Sequence, residues 1–284
     1  MSEWPRISVL VPTRNRSKYL KRMLDKILET DYPNLEVIVL DGASTDGTVE
    51  LLKSYGNRIT RWVSEKDGGE YDALNKGIGL ATGEIIKHMT DDDVLLPEAF
   101  RLVGGYFASH PDVGIVFAQV RWWEEKEGIA TLLHASNYTD PAVLKPGAYI
   151  RSMRHRPGPP TLGGFIRRRV FEQIGLFRTD FVIGDYEFWA RAVSGGVRIG
   201  LVPDIVADYY FTGQNTVTLK SRRILYDMLR IARKYGNARD VLYYSGCVFQ
   251  AYFMNMAAVP FHVIGVHPLQ WVEKMKSRDS FVNK

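Results

Sequence analysis

Apolar residues in this chain come in short runs that stop abruptly at polar or acidic turns. Residues 7–12, Ile-Ser-Val-Leu-Val-Pro, form a β-rich stretch closed by Pro12, and Thr13-Arg14-Asn15-Arg16 leads into helix formers over 17–29. The arrangement repeats at 35–40, followed by Asp41-Gly42-Ala43-Ser44-Thr45-Asp46-Gly47-Thr48 and a helical stretch to Tyr55. Strand, loop and helix recurring at this spacing predict βαβ units and a parallel sheet, in which ligands sit beyond the carboxyl ends of the strands. Thr13, Asp41 and Asp92 all fall at that edge.

The most informative stretch is 84–97, where the apolar run Ile85-Ile86-Lys87-His88-Met89 stops at Thr90-Asp91-Asp92-Asp93. Three consecutive aspartates at the end of a buried strand repel one another unless a cation sits among them. Hard divalent ions choose such oxygen ligands, and Mg²⁺ or Mn²⁺ binds through one or two carboxylates while keeping positions for water and substrate phosphates. The competing reading is an exposed acidic turn that caps the helix begun by Pro97.

Composition fits a compact α/β enzyme. With 284 residues, 45% of them hydrophobic and 24% charged, the chain can bury one substantial core plus an appendage. The lone Cys247 excludes an intrachain disulfide and a cysteine zinc site. Residues 1–5 lack the charged and apolar regions of a signal peptide, so the expected location is the cytoplasm or the inner face of the plasma membrane.

Charge is unevenly placed. Residues 151–169 hold six arginines and no acid, and 219–240 hold seven Lys/Arg against Asp227 and Asp240. No recognisable nucleic-acid module accompanies these clusters, so donor phosphates, a lipid-phosphate acceptor or an acidic membrane face are the expected partners, with solvated helix faces as the alternative. Residues 241–272 carry no Lys, Arg, Asp or Glu, but Gln250, Asn255, His262, Gln270, Pro260 and Pro268 interrupt them. Short helices packing on the catalytic domain, a second copy or a membrane surface are expected there rather than a span.

Four stretches carry a family resemblance: ISVLVPTRNR at 7–16, VIVLDGASTDGT at 37–48, SEKDGGEYDALNKGIGLATGEII at 64–86 with TDDD at 90–93, and IGDYEFWARA at 183–192. In this order, over roughly 6–210, the chain resembles a family 2 glycosyltransferase of the GT-A fold. The wording DGASTDGT and DGGEYDALNKG is most similar to bacterial enzymes that build exopolysaccharides and surface glycans. The resemblance implies a Rossmann-like, mostly parallel central sheet flanked by helices in a catalytic domain over 1–215. Nucleotide-sugar binding would occupy about 1–120 and the acceptor side about 121–215, with a helical C-terminal region over 216–284. It also implies transfer of a sugar from a nucleotide-diphosphate sugar, UDP-linked by expectation, to a hydroxyl of a glycan or polyprenyl-phosphate-linked acceptor with inversion.

Site roles follow residue by residue. Asp92 is the candidate metal ligand and Asp93 a second ligand or support, while Asp91 faces the ribose or sugar. The family usually has an acid two residues before the metal aspartate, where this chain has Thr90. Asp41 matches the position that reads the uracil ring; as bare sequence it is also a turn-forming Asp-Gly pair. Pro12, Thr13, Arg14 and Asn15 line the same edge. Asp67-Gly68-Gly69 is a flexible turn, and the helix from Glu70 directs Asp72 and Asn75 toward the donor, with Lys76 available to a phosphate. Many relatives carry an arginine where this chain has Leu74. Asp185 is the implied general base, with helix N-capping as its alternative, and Glu187 stands in reserve. Tyr209, Tyr210, Gln214 and Asn215 shape the acceptor side.

Two other classes share parts of this pattern. A sugar nucleotidyltransferase also places metal aspartates on an α/β sheet, but PTRNR is not its glycine-rich, lysine-bearing loop. A non-catalytic sugar-binding module needs no aspartate triplet together with Asp185.

Overall fold

A computed structural model of the chain describes residues 4–91, 94–126, 129–135, 149–150, 161–211 and 221–253. The first half alternates as the apolar runs predict: β1 (Ile7–Thr13), α1 (Ser17–Leu28), β2 (Leu35–Asp41), α2 (Thr48–Tyr55), β3 (Arg61–Ser64), α3 (Glu70–Leu80) and β4 (Ile85–His88). β1 is buried at every position but Pro12, as a central strand covered on both faces must be. α1 shows why helix follows strand: its buried residues Leu20, Met23, Leu24 and Ile27 recur at three- and four-residue spacing, making one apolar stripe.

β2, β1 and β4 run side by side in parallel, with β3 outside β2, so Thr13 and Asp41 are register partners at the carboxyl edge. The second half is different. It comprises β5 (Val94–Leu95), α4 (Ala99–Ser109), β6 (Ile115–Lys126), β7 (Ile129–Ala135), β8 (Gly164–Arg167), α5 (Arg168–Ile174), α6 (Gly184–Ser194) and β9 (Ile199–Phe211). The strand order is β3-β2-β1-β4-β8-β6-β9-β5, with β7 added to β6. β8 is antiparallel to both β4 and β6, while β9 is parallel to β6. The sheet is therefore parallel over β1 to β4 and mixed beyond, because past β4 the chain no longer repeats short strand-helix units.

Helices cover both faces over two apolar cores. One gathers Val9, Leu24, Phe100 and Phe165 on the α1/α4 side, and the other gathers Leu10, Leu74, Phe188 and Trp189 on the α3/α6 side. Two further helices, α7 (Ser221–Tyr235) and α8 (Ala238–Phe253), join the second core through Met228, Leu229, Ile231, Ala232 and Tyr244. The described part of the C-terminal region thus packs on the catalytic core. No described helix is long and apolar enough to cross a membrane. The rest of the 241–272 stretch, from 254 on, lies outside the described residues.

Candidate active site

At the edge where β1 to β4 end, polar side chains from successive loops hold one another. The Thr13 hydroxyl donates to Asp91 Oδ2 at 2.8 Å, and Arg16 Nε lies 2.7 Å from Asp91 Oδ1. Asn15 takes a left-handed backbone (φ 54°), donates its N–H to Ser44 Oγ at 2.7 Å and accepts from the Thr45 N–H at 2.8 Å. Asp46 accepts from the Ser17 N–H at 2.9 Å. Each bond ties the loop after β1 to one after a neighbouring strand, so the edge is a preformed frame.

Asp41 sits within it, 2% exposed, accepting from the Ser44 N–H (3.1 Å), the Ser44 hydroxyl and the Ser64 hydroxyl (2.5 Å). Next to it, Gly42 is hemmed in: a Cβ there would come within 2.8 Å of Asp67 Oδ2 and 3.3 Å of Arg14 Cδ. Arg14 and Asp67 thus flank the Asp41 turn, and Pro12 precedes Thr13 on the same strand.

The turn at 67–69 is self-braced. Asp67 Oδ1 accepts from the Gly69 N–H at 2.9 Å, and Asp72 Oδ2 accepts from the Gly68 N–H at 2.9 Å, while Gly69 adopts φ +114°, which favours glycine. Lys76 Nζ pairs with Glu65 at 2.8 Å and with Asp72 at 3.4 Å, and these partners raise its pKa. Asn75 is committed elsewhere: its Nδ2 donates to the Phe177 carbonyl at 2.8 Å and its Oδ1 accepts from the Phe177 N–H at 3.0 Å. Both halves of the amide are spent on the backbone before α6.

Asp185, in the first turn of α6, is cradled by residues from two other elements, 114 and 24 positions away. The Tyr71 hydroxyl donates to Oδ1 at 3.0 Å, and the Thr161 hydroxyl makes a short bond to Oδ2. Gly184 permits this approach, since a Cβ there would sit 2.9 Å from the Tyr71 ring. The residue as a whole is of intermediate exposure, with its carboxyl set inward among these partners. Burial pushes its pKa up, the nearby Glu70 charge adds to the rise, and the Thr161 and Tyr71 bonds oppose it. Glu70 itself lies 3.1 Å from the Nε2 of the buried His88 on β4.

Glu187 is in a different situation. It is 1% exposed and accepts from Tyr235 Oη at 2.7 Å and from Arg191 at 3.0 Å, so it fastens α7 to α6.

Asp92, Asp93, Gln214 and Asn215 lie outside the described residues. The chain leaving the aspartates is fixed, because Val94 pairs with Asp208 of β9. Asp208 is held by Arg121 (2.6 and 2.9 Å) and by Trp123 Nε1 (2.8 Å). Tyr209 packs on Trp122 and Tyr210 on Trp123, with ring centroids 4.7 and 6.3 Å apart.

The basic cluster at 151–169 divides. Arg151, Arg154 and Arg156 lie outside the described residues. Arg167, Arg168 and Arg169 direct their guanidinium groups to backbone carbonyls at 78–83 and 107–113. These three fasten loops together, Arg167 from within the core and Arg169 from the exposed side. Sequence reasoning had no signal for Thr161, and it passed over Tyr71 and Arg16 although both stand inside quoted motifs.

The family 2 glycosyl transferase model matches residues 8–175, more than half the chain, and the protein belongs to that family. Among curated relatives, the glycosyltransferase GlyG of Streptococcus pneumoniae serotype 4 is 38% identical over 92 residues, which is 31% of each chain. A PGL/p-HBAD biosynthesis glycosyltransferase of Mycobacterium bovis (strain BCG) is 24% identical over 217 residues, 72% of this chain and 77% of that one. A dolichyl N-acetyl-alpha-D-glucosaminyl phosphate glucuronosyltransferase of Methanococcus voltae is 25% identical over 72% of this chain and 66% of its own. The matched stretch thus spans about a third of the first of these relatives and about two thirds to three quarters of the other two. Of solved structures, S. aureus TarS 1–349 in complex with UDP-GlcNAc superposes with a TM-score of 0.66 at 17% identity, covering 92% of this chain and 78% of that one. The mannosyltransferase PcManGT from Pyrobaculum calidifontis, in complex with GDP-Man and Mn²⁺, gives 0.61 at 24% identity, covering 88% and 71%. The fold is that of GT-A glycosyltransferases, and the protein is a glycosyltransferase.

Proposed function

We propose that the protein transfers a sugar from a uridine diphosphate sugar to a hydroxyl of a glycan or lipid-linked acceptor, by single displacement with inversion. The observation that carries this reading is the contrast between two carboxylates. Asp91 is engaged by the Arg16 guanidinium and Thr13 at the strand edge, whereas Asp185 is a residue of intermediate exposure that faces no cation among the described residues, is oriented by two hydroxyls and is raised in pKa. A base needs that combination of access, orientation and basicity.

Asp41 accepts from the base N–H in the frame flanked by Pro12, Thr13, Arg14, Asn15 and Asp67-Gly68. Its Ser44 and Ser64 bonds fix the carboxylate's direction. Asp91, oriented by Arg16, faces the ribose. Asp72 and Lys76 form an exposed pair near the 67–69 turn, where a phosphate can displace Glu65 from Lys76. Asn75 contributes indirectly, by holding the backbone that leads to Asp185.

A divalent ion, Mg²⁺ or Mn²⁺, belongs with this chemistry. Among the described residues no group of three or more His, Cys, Asp or Glu converges, and Asp91 is bonded by Thr13 and Arg16. The ion would be held by Asp92, with Asp93 as second ligand or support, hard oxygens suited to it. When bound, it neutralises charge on the departing diphosphate. TarS and PcManGT, by their titles, bind UDP-GlcNAc and GDP-Man, the latter with Mn²⁺. The name of the M. voltae relative describes a lipid-phosphate acceptor, which supports a lipid-linked acceptor here. The described helices α7 and α8 leave Tyr226, Leu242 and Phe249 exposed, a surface suited to such an acceptor's membrane or to a second copy.

Incubation with a panel of nucleotide sugars, monitoring free nucleotide and product anomer, tests the reading. Release of UDP from a UDP-sugar, with inverted product, is expected. Retained configuration, or purine diphosphates binding as tightly as UDP, overturns it.

A further inference from the structure

Lys87 is a charged residue with no exposed surface, set in the middle of β4. Its Nζ donates to the backbone carbonyls of Leu162 (2.5 Å), Thr161 (3.2 Å) and Gly164 (3.3 Å), and it lies 4.8 Å from the centre of the Phe165 ring. Residues Thr161–Gly163 form a single 3₁₀ turn that runs directly into β8. Two carbonyl dipoles of that turn and that of Gly164, which opens β8, converge on one point. In apolar surroundings such dipoles repel one another and lack donors, unless a cation gathers them.

The same turn presents the Thr161 hydroxyl to Asp185 Oδ2. On its other side the turn rides close over β6, where a Cβ on Gly163 would come within 2.3 Å of the Ala118 carbonyl. It has no room to settle inward, and the ammonium sets its remaining freedom. A buried ammonium is expensive in stability, and an apolar side chain of equal length would fill the same volume more cheaply. What an apolar residue cannot do is hold three carbonyls in one orientation.

We infer that Lys87 is a positioning residue for catalysis: by gathering the 161–164 carbonyls it fixes the Thr161 hydroxyl that orients the Asp185 carboxylate. The inference rests on the reading of Asp185 as the base. It also gives β4 two tasks, since the strand that runs into the aspartates at 91–93 carries, at position 87, the group that aligns the opposite carboxylate.

The test compares Lys87→Met, Lys87→Arg and Thr161→Val with Asp185→Asn. Readouts are UDP affinity by calorimetry, melting temperature, kcat with donor and acceptor KM, and the pH dependence of kcat/KM. Misplacing a reacting group by about 1 Å can cost on the order of 10²-fold, so Lys87→Met is expected to lower kcat about 10- to 100-fold with UDP affinity within about two-fold of wild type. The Thr161 bond favours ionised Asp185, so its loss is expected to move the acid limb of the profile upward in Lys87→Met and Thr161→Val alike. The double variant is expected to be no worse than either single one, because both break the same link.

Lys87→Arg keeps the charge, but its planar fork cannot match three converging carbonyls, so an intermediate effect is expected. A folded Lys87→Met variant with wild-type kcat and pH limb overturns the inference, as do multiplicative losses in the double variant or a loss confined to donor KM. Should Lys87→Met not bind UDP or melt cooperatively, Lys87→Arg decides, and wild-type behaviour in it overturns the inference. Asp185→Asn separates the two levels: if it keeps its rate, the base reading falls and this inference with it, whereas an inactive Asp185→Asn beside an unaffected Lys87→Met removes this inference alone.

Discussion

The donor edge and the Asp185 cradle are built on opposite principles. At the donor edge, residues on loops after adjacent parallel strands bond to one another across 29 to 78 positions of sequence: Asn15 with Ser44 and Thr45, Ser17 with Asp46, Thr13 with Asp91. At the cradle, Asp185 draws on Tyr71 from α3 and Thr161 from the turn before β8, 114 and 24 positions away. The first region is a mesh in which loops brace one another. In the second, one carboxylate is oriented by single side chains from two separate elements. Substitutions at the two regions should therefore differ in how far rate and stability move together.

Asp185→Asn should give the largest and cleanest separation. Loss of a positioned base is worth about 10²–10⁴ in kcat, and UDP affinity should stay near wild type. Burial disfavours the ionised form of Asp185, so the amide should leave the melting temperature unchanged or higher. An N-cap role predicts the reverse, a stability loss of about 1 kcal/mol with little change in rate. The pH sign follows from the same shift. The active form is ionised and its pKa is raised, so kcat/KM should fall as pH drops through a limb above the ordinary carboxylate value, and that limb should be absent in Asp185→Asn.

Removing the metal comes next. Asp92→Asn, or wild type in excess EDTA, should lose activity by about 10²-fold, since a bound divalent ion supplies several kcal/mol of charge stabilisation. UDP affinity should fall with it, in contrast to Asp185→Asn. Near-normal turnover in metal-free buffer would remove Asp92 from the mechanism.

Asp41→Asn probes the mesh directly and should affect both properties. A charged acceptor's hydrogen bond contributes about 1.5–3 kcal/mol, so UDP should bind about 10- to 100-fold more weakly. The amide keeps one acceptor oxygen but sets an NH2 donor against the partners of the other, so part of the Ser44 and Ser64 bonding is lost and the melting temperature should drop as well. Weaker binding with an unchanged melting temperature would show that the serines do not depend on this carboxylate.

How much of this was legible in the sequence follows the same divide. The βαβ half could be read because apolar runs, turn residues and helix formers repeat at short range, and its motifs are contiguous runs at successive strand ends. The mixed half could not, because the antiparallel course of β8 depends on pairings with β4 and β6 that no local pattern encodes. Asp185 stood out by its motif, yet Thr161 and Lys87 did not, since a threonine in a loop and a lysine in an apolar run carry no signal until the turn is folded over the strand. Glu187 looked like a spare base by proximity, but four residues on, Arg191 claims it across one helical turn and Tyr235 claims its other oxygen. The loop-fastening bonds of the arginines at 167–169 were also hidden, because charge counts cannot see carbonyls.

Asn75 offers the smallest effect and the sharpest test of the boundary between the regions. As a motif residue on α3 it belongs by sequence with the donor contacts, whereas its amide closes a two-bond clip on the Phe177 backbone, next to the loop leading into α6. The clip predicts that Asn75→Ala leaves a backbone N–H and a carbonyl of Phe177 unpaired in a half-buried position, at a cost of about 1–3 kcal/mol of stability, with UDP affinity unchanged. Asn75→Asp should be intermediate, because a carboxylate still accepts from the Phe177 N–H but cannot donate to its carbonyl and repels it instead. If the residue contacts the donor, the order is reversed: UDP affinity drops in both variants, and the melting temperature moves little. Thermal melts and UDP calorimetry on the same two variants therefore assign Asn75 either to the mesh that binds the nucleotide or to the scaffold that carries Asp185.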